Sequence, residues 1–212
     1  MERNKIIIGS RASKLALIYA DKAREEISKY FTGEIIIEKI NTTGDNKLDV
    51  RLSELGGKGL FSKNIELELL NKNIDLAVHA LKDLPSFETD GLITNCFLKR
   101  NFSNEVIISN SKKNLNELVP GSIIGTSSYR REFQLKKIRK DLNYKLIRGN
   151  VDTRLKKLKN GEYDAIVLSK AGLASLKLEN EITHEFSNKE LMPSAGQGTI
   201  AIQCRKYDYE MI

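Results

Sequence analysis

The sequence contains few of the residues that cross-link or kink a chain. Its 212 residues include two cysteines, three prolines and no tryptophan. Cys96 and Cys204 both lie in apolar, strand-like segments, without a CxxC spacing or a nearby histidine. Thiols in such contexts are usually buried, so we predict two buried cysteines and neither a disulfide framework nor a structural zinc site.

A long hydrophobic run and a signal-peptide pattern are also missing. No apolar stretch approaches the roughly 20 residues that a membrane-spanning helix needs. The basic N-terminus leads directly into a strand-like segment, Ile6–Ile8. The composition is that of a globular chain, with 40% hydrophobic and 30% charged residues. We therefore expect a cytoplasmic, monomeric protein that has no membrane partner and is long enough for one large domain or two ordinary ones.

Several familiar catalytic motifs are absent. The sequence has no GxSxG, no HExxH and no P-loop lysine motif, which argues against the hydrolases, zinc peptidases and nucleotide-binding proteins that carry them. His79 lies inside an apolar run, and we interpret it as a core histidine rather than a catalytic one. We predict no metal site.

Positive charge is concentrated in one part of the chain. The formal net charge is +7, but residues 129–159 contain twelve Lys or Arg against three acids, a local charge of +9. This window predicts an anionic partner, either nucleic acid or a small polycarboxylate or phosphate. It lacks interleaved aromatic residues and any nucleic-acid-binding motif, so we favour the small anion.

Strand-like and helical patterns alternate along the chain, which predicts an α/β fold with mixed, mostly parallel sheets. A polar link, Lys99–Asn104, separates two lobes of similar size. The last strand follows the glycine-rich segment Pro193–Gly198 and is expected to return to the first lobe, so that the hinge has two crossings. The predicted domains are residues 1–98 with 196–212, and residues 99–195.

One apolar run ends abruptly in a charged pair. The segment Ile74–Pro85 places Lys82 and Asp83 directly after a strand-like stretch. Such a pair can be a solvated strand end of little consequence. A carboxylate at the mouth of a buried strand is nevertheless costly unless it has a task there.

Three strand-to-helix junctions carry arginine and hydroxyl side chains: Ser10–Ser13, Gly125–Arg131 and Arg148–Arg154. Guanidinium groups suit planar recognition of carboxylate or phosphate, and the first turn of a helix offers free N–H groups. Capped helices with surface arginines are the alternative. Because arginines occur in both lobes, we expect an anionic ligand in the cleft between them.

Seven short segments occur in the same order as in one known family. Each is weak alone, but together they are very specific, and the chain resembles the porphobilinogen deaminases, also called hydroxymethylbilane synthases, over nearly its whole length. The segments are Gly9–Leu17, Gly56–Phe61, Ala77–Pro85, Gly125–Arg131, Arg148–Arg154, Asn160–Ile166 and Gly196–Gly198.

The resemblance implies a fold, a reaction and a cofactor. The fold would be two lobes like those of periplasmic binding proteins. The reaction would condense four porphobilinogen units, each with loss of ammonia, into linear hydroxymethylbilane for tetrapyrrole (haem) biosynthesis. A dipyrromethane cofactor, held by a cysteine thioether in the family, would prime the growing chain.

The resemblance also implies roles for individual residues. Asp83 matches the catalytic aspartate, which would stabilise positive charge on pyrrole nitrogen and exchange its proton. Lys58 matches a lysine of a glycine loop that we expect to act as a lid. The residues that match cofactor or substrate binders are Arg11, Ser13, Lys58, Lys82, Thr126, Ser127, Ser128, Arg130, Arg131, Arg148 and Arg154.

Two departures from the family pattern affect what we expect. Ser175 stands where many relatives have a substrate-binding arginine, with Lys177 as a nearby substitute. The family's third, C-terminal domain and its attachment cysteine have no counterpart here, so this domain could act in trans. The alternative function is a two-lobed, non-catalytic binder of small polycarboxylates.

Overall fold

The computed structural model describes residues 3–42, 44 and 59–211. These residues form two compact units. The first contains residues 3–42, 44, 59–100 and 199–211, and the second contains residues 101–198. Within the described part, the chain therefore passes from one unit to the other after Arg100 and returns after Gly198.

The first unit is built on a five-stranded sheet with the order β2–β1–β3–β10–β4. Strand β1 runs parallel to β2 and β3, whereas β10 runs antiparallel to both of its neighbours. The strands are β1 (Lys5–Arg11), β2 (Glu34–Ile40), β3 (Leu76–Ala80), β4 (Leu92–Phe97) and β10 (Ile200–Arg205).

Two helices cover this sheet, α1 (Lys14–Ile27) and α2 (Lys63–Leu70). Side chains alternate along β3, so Leu76 and Val78 join the apolar cluster that includes Ala20 and Ala23 of α1. Ala77 joins the other cluster, with residues of α2. The sheet thus has an apolar layer on each face, as expected of strands buried on both sides.

The second unit has a five-stranded sheet with the order β7–β6–β8–β5–β9. Strand β6 is parallel to β7 and β8, and β5 is antiparallel to β8 and β9. The elements are β5 (Glu105–Ser109), β6 (Ile123–Gly125), α3 (Tyr129–Ile138), β7 (Asn143–Lys145), α4 (Val151–Lys159), β8 (Ala165–Ser169), α5 (Lys170–Ser175) and β9 (His184–Glu185).

The prediction of two α/β lobes with mixed sheets is confirmed. Each sheet contains as many antiparallel as parallel pairings, because β10 and β5 each run against both of their neighbours. None of the helices in residues 3–42 and 59–211 is long and apolar enough to span a membrane.

The two cysteines have different environments. Cys204 is buried in the core of the first unit, as predicted. The prediction for Cys96 is wrong, because this residue is exposed. It lies near the end of β4, which is an edge strand of its sheet, and the last three residues of β4 are all exposed.

Gly198 marks the second crossing between the units. Its φ of +86° lies in the left-handed region, and a Cβ atom there would be 2.4 Å from the backbone oxygen of Phe102. The turn therefore requires glycine for both conformation and space. This requirement explains the glycine at the end of the glycine-rich segment Pro193–Gly198.

Candidate functional site

Asp83 and Arg11 meet at one edge of the first sheet. Strands β1 and β3 are parallel neighbours, so their carboxyl ends lie side by side. Arg11 is the last residue of β1, and Asp83 closes the short 3₁₀ turn Leu81–Asp83 that follows β3. Arg11 Nη1 lies 3.9 Å from Asp83 Oδ2, and the two side chains are 20% and 30% exposed. The carboxylate is therefore paired loosely and remains accessible to a ligand.

Phe61 supports Arg11 and was not recognised from the sequence. The guanidinium carbon of Arg11 lies 4.0 Å from the centroid of the Phe61 ring, which is a cation–π contact. The only sequence signal was the position of Phe61 at the end of the Gly56–Phe61 segment. Motif matching gave a role to Lys58 in that segment and none to the ring that follows it.

Two other predicted site residues belong to the first unit. Ser13 is the N-cap of α1, and its hydroxyl accepts a hydrogen bond of 3.3 Å from the backbone N–H of Ala16. Lys82 is partly exposed in the same 3₁₀ turn as Asp83. Lys58 lies outside the described residues.

The hydroxyl triplet of the second unit lies between β6 and α3. Thr126 is buried, and its Oγ1 accepts a hydrogen bond of 3.2 Å from the N–H of Ser128. Ser128 is the N-cap of α3 and accepts from the N–H of Arg131 at 3.4 Å. Ser127 is partly exposed. Two of the three hydroxyls thus shape the turn itself, in agreement with the preference of Ser and Thr for helix starts.

A buried carboxylate holds the next two residues. Glu105 is fully buried at the start of β5. Its two oxygens accept hydrogen bonds from Arg130 Nη2 at 2.5 Å and from Arg131 Nη2 at 2.6 Å. Burial alone would raise the pKa of Glu105, but the two guanidiniums, chiefly Arg131, outweigh it and lower this pKa.

Arg130 and Arg131 are consequently committed to protein acceptors. The Nη1 group of Arg131 donates to the carbonyl oxygen of Val167 at 2.9 Å, and that of Arg130 donates to the carbonyl oxygen of Met192. The sequence predicted both arginines as ligand binders. That role stays a prediction; in the structure each of their terminal nitrogens has a protein partner, because Glu105 of β5 lies within reach of the first turn of α3.

Arg154 has a different environment, although it belongs to the same unit. Its Nε donates to the carbonyl oxygen of Gly149 at 2.7 Å, and within the described residues neither terminal nitrogen has an acceptor. Desolvation, followed by the positive charges of Arg131 and Arg148, lowers its pKa to about 10. Arg148 is itself 5% exposed. Because Glu105 already pairs with Arg131, the terminal nitrogens of Arg154 are well placed to bind an anion.

His79 is buried, with 6% of its surface exposed, which confirms the prediction of a core histidine. Desolvation lowers its pKa to about 4; the neighbouring Gln203 opposes this shift, and the charge of Arg11 adds to it. His79 is therefore neutral near pH 7. It is an unexpected source of acid sensitivity in the first unit.

We expect His79 to lower the free energy of unfolding in acid. Because its folded pKa is below the ordinary value of about 6.5, the unfolded chain binds more protons between pH 6.5 and 4. The free energy of unfolding should therefore fall with pH across this window, by about 2–3 kcal/mol at pH 4. Urea titrations at several pH values measure this slope. The His79→Gln variant should lose that part of the slope, whereas His184→Gln, which removes the chain's other histidine, should retain it.

The position at which many relatives have a substrate-binding arginine lies at the end of α5. Ser175 is the last residue of that helix, and Lys177 follows with a positive φ of 58°. The described residues contain no group of three or more His, Cys, Asp or Glu side chains that could hold a metal ion.

Comparison with known proteins gives the family. Residues 6–212 match the family model described as porphobilinogen deaminase, dipyromethane cofactor binding domain. The porphobilinogen deaminase of Bacillus pumilus is 46% identical over 209 residues, covering 98% of this chain and 67% of that protein. The enzyme from Bacillus thuringiensis is also 46% identical, over 210 residues, with coverage of 98% and 68%. The chain belongs to the porphobilinogen deaminase family.

Solved structures confirm the fold beyond the porphobilinogen deaminases. A lipoprotein of Bacillus subtilis aligns with a TM-score of 0.55 at 14% identity, covering 97% of this chain and 85% of that one. Substrate binding domain 2 of GlnP from Lactococcus lactis aligns with a TM-score of 0.55 at 12% identity, covering 100% and 85%. The expected likeness to periplasmic binding proteins is therefore confirmed for the fold.

The donor set of the second unit fits the cofactor named by the family model. A dipyrromethane carries acetate and propionate arms, and Arg154, whose pKa is lowered by burial and by the charges of Arg131 and Arg148, offers its terminal nitrogens to such carboxylates. Cys204 does not fit a covalent role, because burial raises the pKa of its thiol and the side chain lies in the core. Cys96 is exposed on β4.

Proposed function

We propose that this chain acts as a hydroxymethylbilane synthase. It would condense porphobilinogen units, with loss of ammonia, into linear hydroxymethylbilane. The observation that carries this proposal beyond family membership is the environment of Arg154. A partly buried guanidinium that is repelled by two other arginines, and whose terminal nitrogens have no acceptor among the described residues, is prepared for a carboxylate. Each pyrrole of the substrate carries two carboxylates.

Asp83 is the proposed catalytic residue. Loss of ammonia leaves an electron-poor carbon, and attack on it places positive charge on a pyrrole nitrogen. A carboxylate beside that nitrogen stabilises the charge and can accept the N–H proton. The pairing of Asp83 with Arg11 at 3.9 Å supports this role, because so loose an ion pair leaves the carboxylate oxygens available.

The other residues are assigned to binding. Arg148 and Arg154 bind carboxylate arms directly, with Thr126, Ser127 and Ser128 shaping the adjacent turn. Arg130 and Arg131 contribute positive charge while Glu105 holds them. Lys82, Arg11 and Ser13 complete the binders of the first unit, and Lys58 is proposed from the family pattern alone.

The dipyrromethane, when bound, would supply the α-carbon from which the pyrrole chain grows. Arg148 and Arg154 would hold its carboxylate arms, and Asp83 would take and return protons at pyrrole nitrogen. We further propose that the two compact units are the two functional domains, the first supplying Asp83 and the second supplying the arginines.

Turnover of porphobilinogen tests the proposal. Ammonia release would be followed with the chain alone and with the C-terminal third of the Bacillus pumilus enzyme added, because this chain covers 67% of that relative. Release in either condition supports the enzyme. Tight binding of porphobilinogen without ammonia release in both conditions would support a non-catalytic polycarboxylate binder instead.

A substitution at Arg154 should separate binding from stability. We expect Arg154→Gln to weaken porphobilinogen affinity about 10- to 100-fold, since it removes charge-assisted hydrogen bonds worth about 1.5–3 kcal/mol. The melting temperature should stay the same or rise, because repulsion from Arg131 and Arg148 is relieved. Isothermal titration calorimetry and thermal unfolding measure the two effects.

The matched control is Lys156→Gln, which removes one positive charge from an exposed position of the same helix. Its effect on affinity should be less than about twofold. An equal loss of affinity in both variants would show that only net charge matters, and would contradict a specific carboxylate site at Arg154.

A further inference from the structure

We propose that Phe61 and Gly44 are positioning residues that hold the guanidinium of Arg11 beside Asp83. This inference rests on the proposed function, since it concerns the carboxylate assigned to catalysis there. It gives a task to two residues that carry no reactive group. Both contacts lie within the first unit.

The ion pair alone cannot fix Arg11. The nearest nitrogen-to-oxygen distance is 3.9 Å, and both side chains are partly exposed. Ion pairs of this kind are weak, and the arginine side chain has many rotamers to lose. The Phe61 ring, 4.0 Å from the guanidinium carbon, adds a planar contact. Stacking on a ring restricts the plane of the guanidinium in a way that a single long ion pair does not.

Gly44 in turn fixes the Phe61 ring. A Cβ atom at Gly44 would lie 2.5, 2.7 and 2.9 Å from three atoms of that ring, closer than real Cβ contacts allow. The N–H of Gly44 also donates to the carbonyl oxygen of Leu60 at 2.9 Å, which ties the backbone next to Phe61. Gly44 is therefore needed for close approach, and a methyl group there would push the ring away from its place.

The consequence reaches Asp83 through Arg11. The position of the guanidinium determines the orientation of the Asp83 carboxylate. It also determines how strongly this carboxylate stabilises positive charge that develops on the substrate. Displacements of about 1 Å near reacting groups can cost about 100-fold in rate. We expect Phe61→Leu and Gly44→Ala each to lower kcat about 10- to 100-fold, with KM changed less than about threefold.

The experiment uses the 212-residue chain in whichever assay condition gives turnover. Phe133→Leu is the matched control, because it removes another ring that lies under a cation, Lys137 at 4.6 Å, on an exposed helix surface. It should leave kcat unchanged. In an Arg11→Gln background, Phe61→Leu should have no further effect on kcat, since the two residues act as one unit. Full additivity of the two substitutions would overturn the proposal.

A second readout does not depend on activity. In NMR spectra, the side-chain resonances of Arg11, assigned with an Arg11→Lys variant, should show an upfield ring-current shift. Phe61→Leu should abolish this shift and Gly44→Ala should reduce it. Unchanged Arg11 resonances in a folded Phe61→Leu variant would overturn the positioning role even if the enzyme assignment holds. Loss of the shift in a chain without turnover would instead support the positioning role and contradict the proposed function.

Discussion

Replacement of Asp83 by asparagine should abolish porphobilinogen consumption and leave the fold intact. Asparagine has the same shape but cannot hold a negative charge or accept the pyrrole proton. General base and electrostatic contributions of one side chain are each worth about 100- to 10,000-fold, so we expect kcat to fall at least about 1,000-fold. The fall in kcat is measured from the rate of ammonia release and from the porphobilinogen that remains at the end of the reaction.

Stability should hardly change in this variant. Asp83 is 30% exposed, and its ion pair with Arg11 is 3.9 Å long, so the expected loss is within about 1 kcal/mol. Asp90→Asn makes the same chemical change at an exposed position of the same unit and should affect neither property. Retained turnover in Asp83→Asn would contradict the catalytic assignment.

Replacement of Glu105 by glutamine should have the largest effect on stability. Glu105 is fully buried, and Arg131, its principal partner, has a side chain that is 8% exposed. Removing one partner of a buried pair leaves an uncompensated charge, which costs about 3–5 kcal/mol. For a chain of this size, the melting temperature should fall by about 10 °C. Thermal and urea unfolding would measure it.

A control variant and the pH dependence of stability test whether the loss in Glu105→Gln comes from the buried ion pair. Glu185→Gln removes the more exposed partner of Lys170, and we expect a loss of less than about 1 kcal/mol. The pH dependence has a definite sign: the folded pKa of Glu105 is lowered, so its stabilisation is complete above its ordinary value of about 4.3 and disappears as pH falls through the folded value. That acid loss should be missing in Glu105→Gln. Equal stability losses in Glu105→Gln and Glu185→Gln would contradict the account.

The sequence allowed the fold and the edge of the first sheet to be predicted. Short apolar runs that end in polar residues marked β1 and β3, and parallel neighbours bring such ends together. This reasoning marked Arg11 and Asp83 as candidates, the family resemblance gave them their roles, and the structure pairs them at 3.9 Å. The Ser10–Ser13 junction was likewise predicted from local sequence, and the structure shows Ser13 as the N-cap of α1.

The contacts that were missed are all between residues distant in sequence. No local sequence pattern identifies the partners of a single glutamate at the start of an apolar strand, so Glu105 was overlooked. Arg130 and Arg131 were therefore predicted only as ligand binders. The stacking of Phe61 on Arg11 joins residues 50 positions apart. The burial predicted for Cys96 failed because its apolar context does not tell an edge strand from a central one.

The central claim is that this chain belongs to a working catalyst and that Asp83 performs the condensation. The most direct test is the stoichiometry of product formation, with porphobilinogen loss, ammonia release and hydroxymethylbilane measured in the same reaction. The expected result is four porphobilinogen consumed and four ammonia released per hydroxymethylbilane, in the chain alone or with the C-terminal third of the relative added, and none of these in Asp83→Asn. Saturable binding of porphobilinogen without ammonia release in either condition would contradict it.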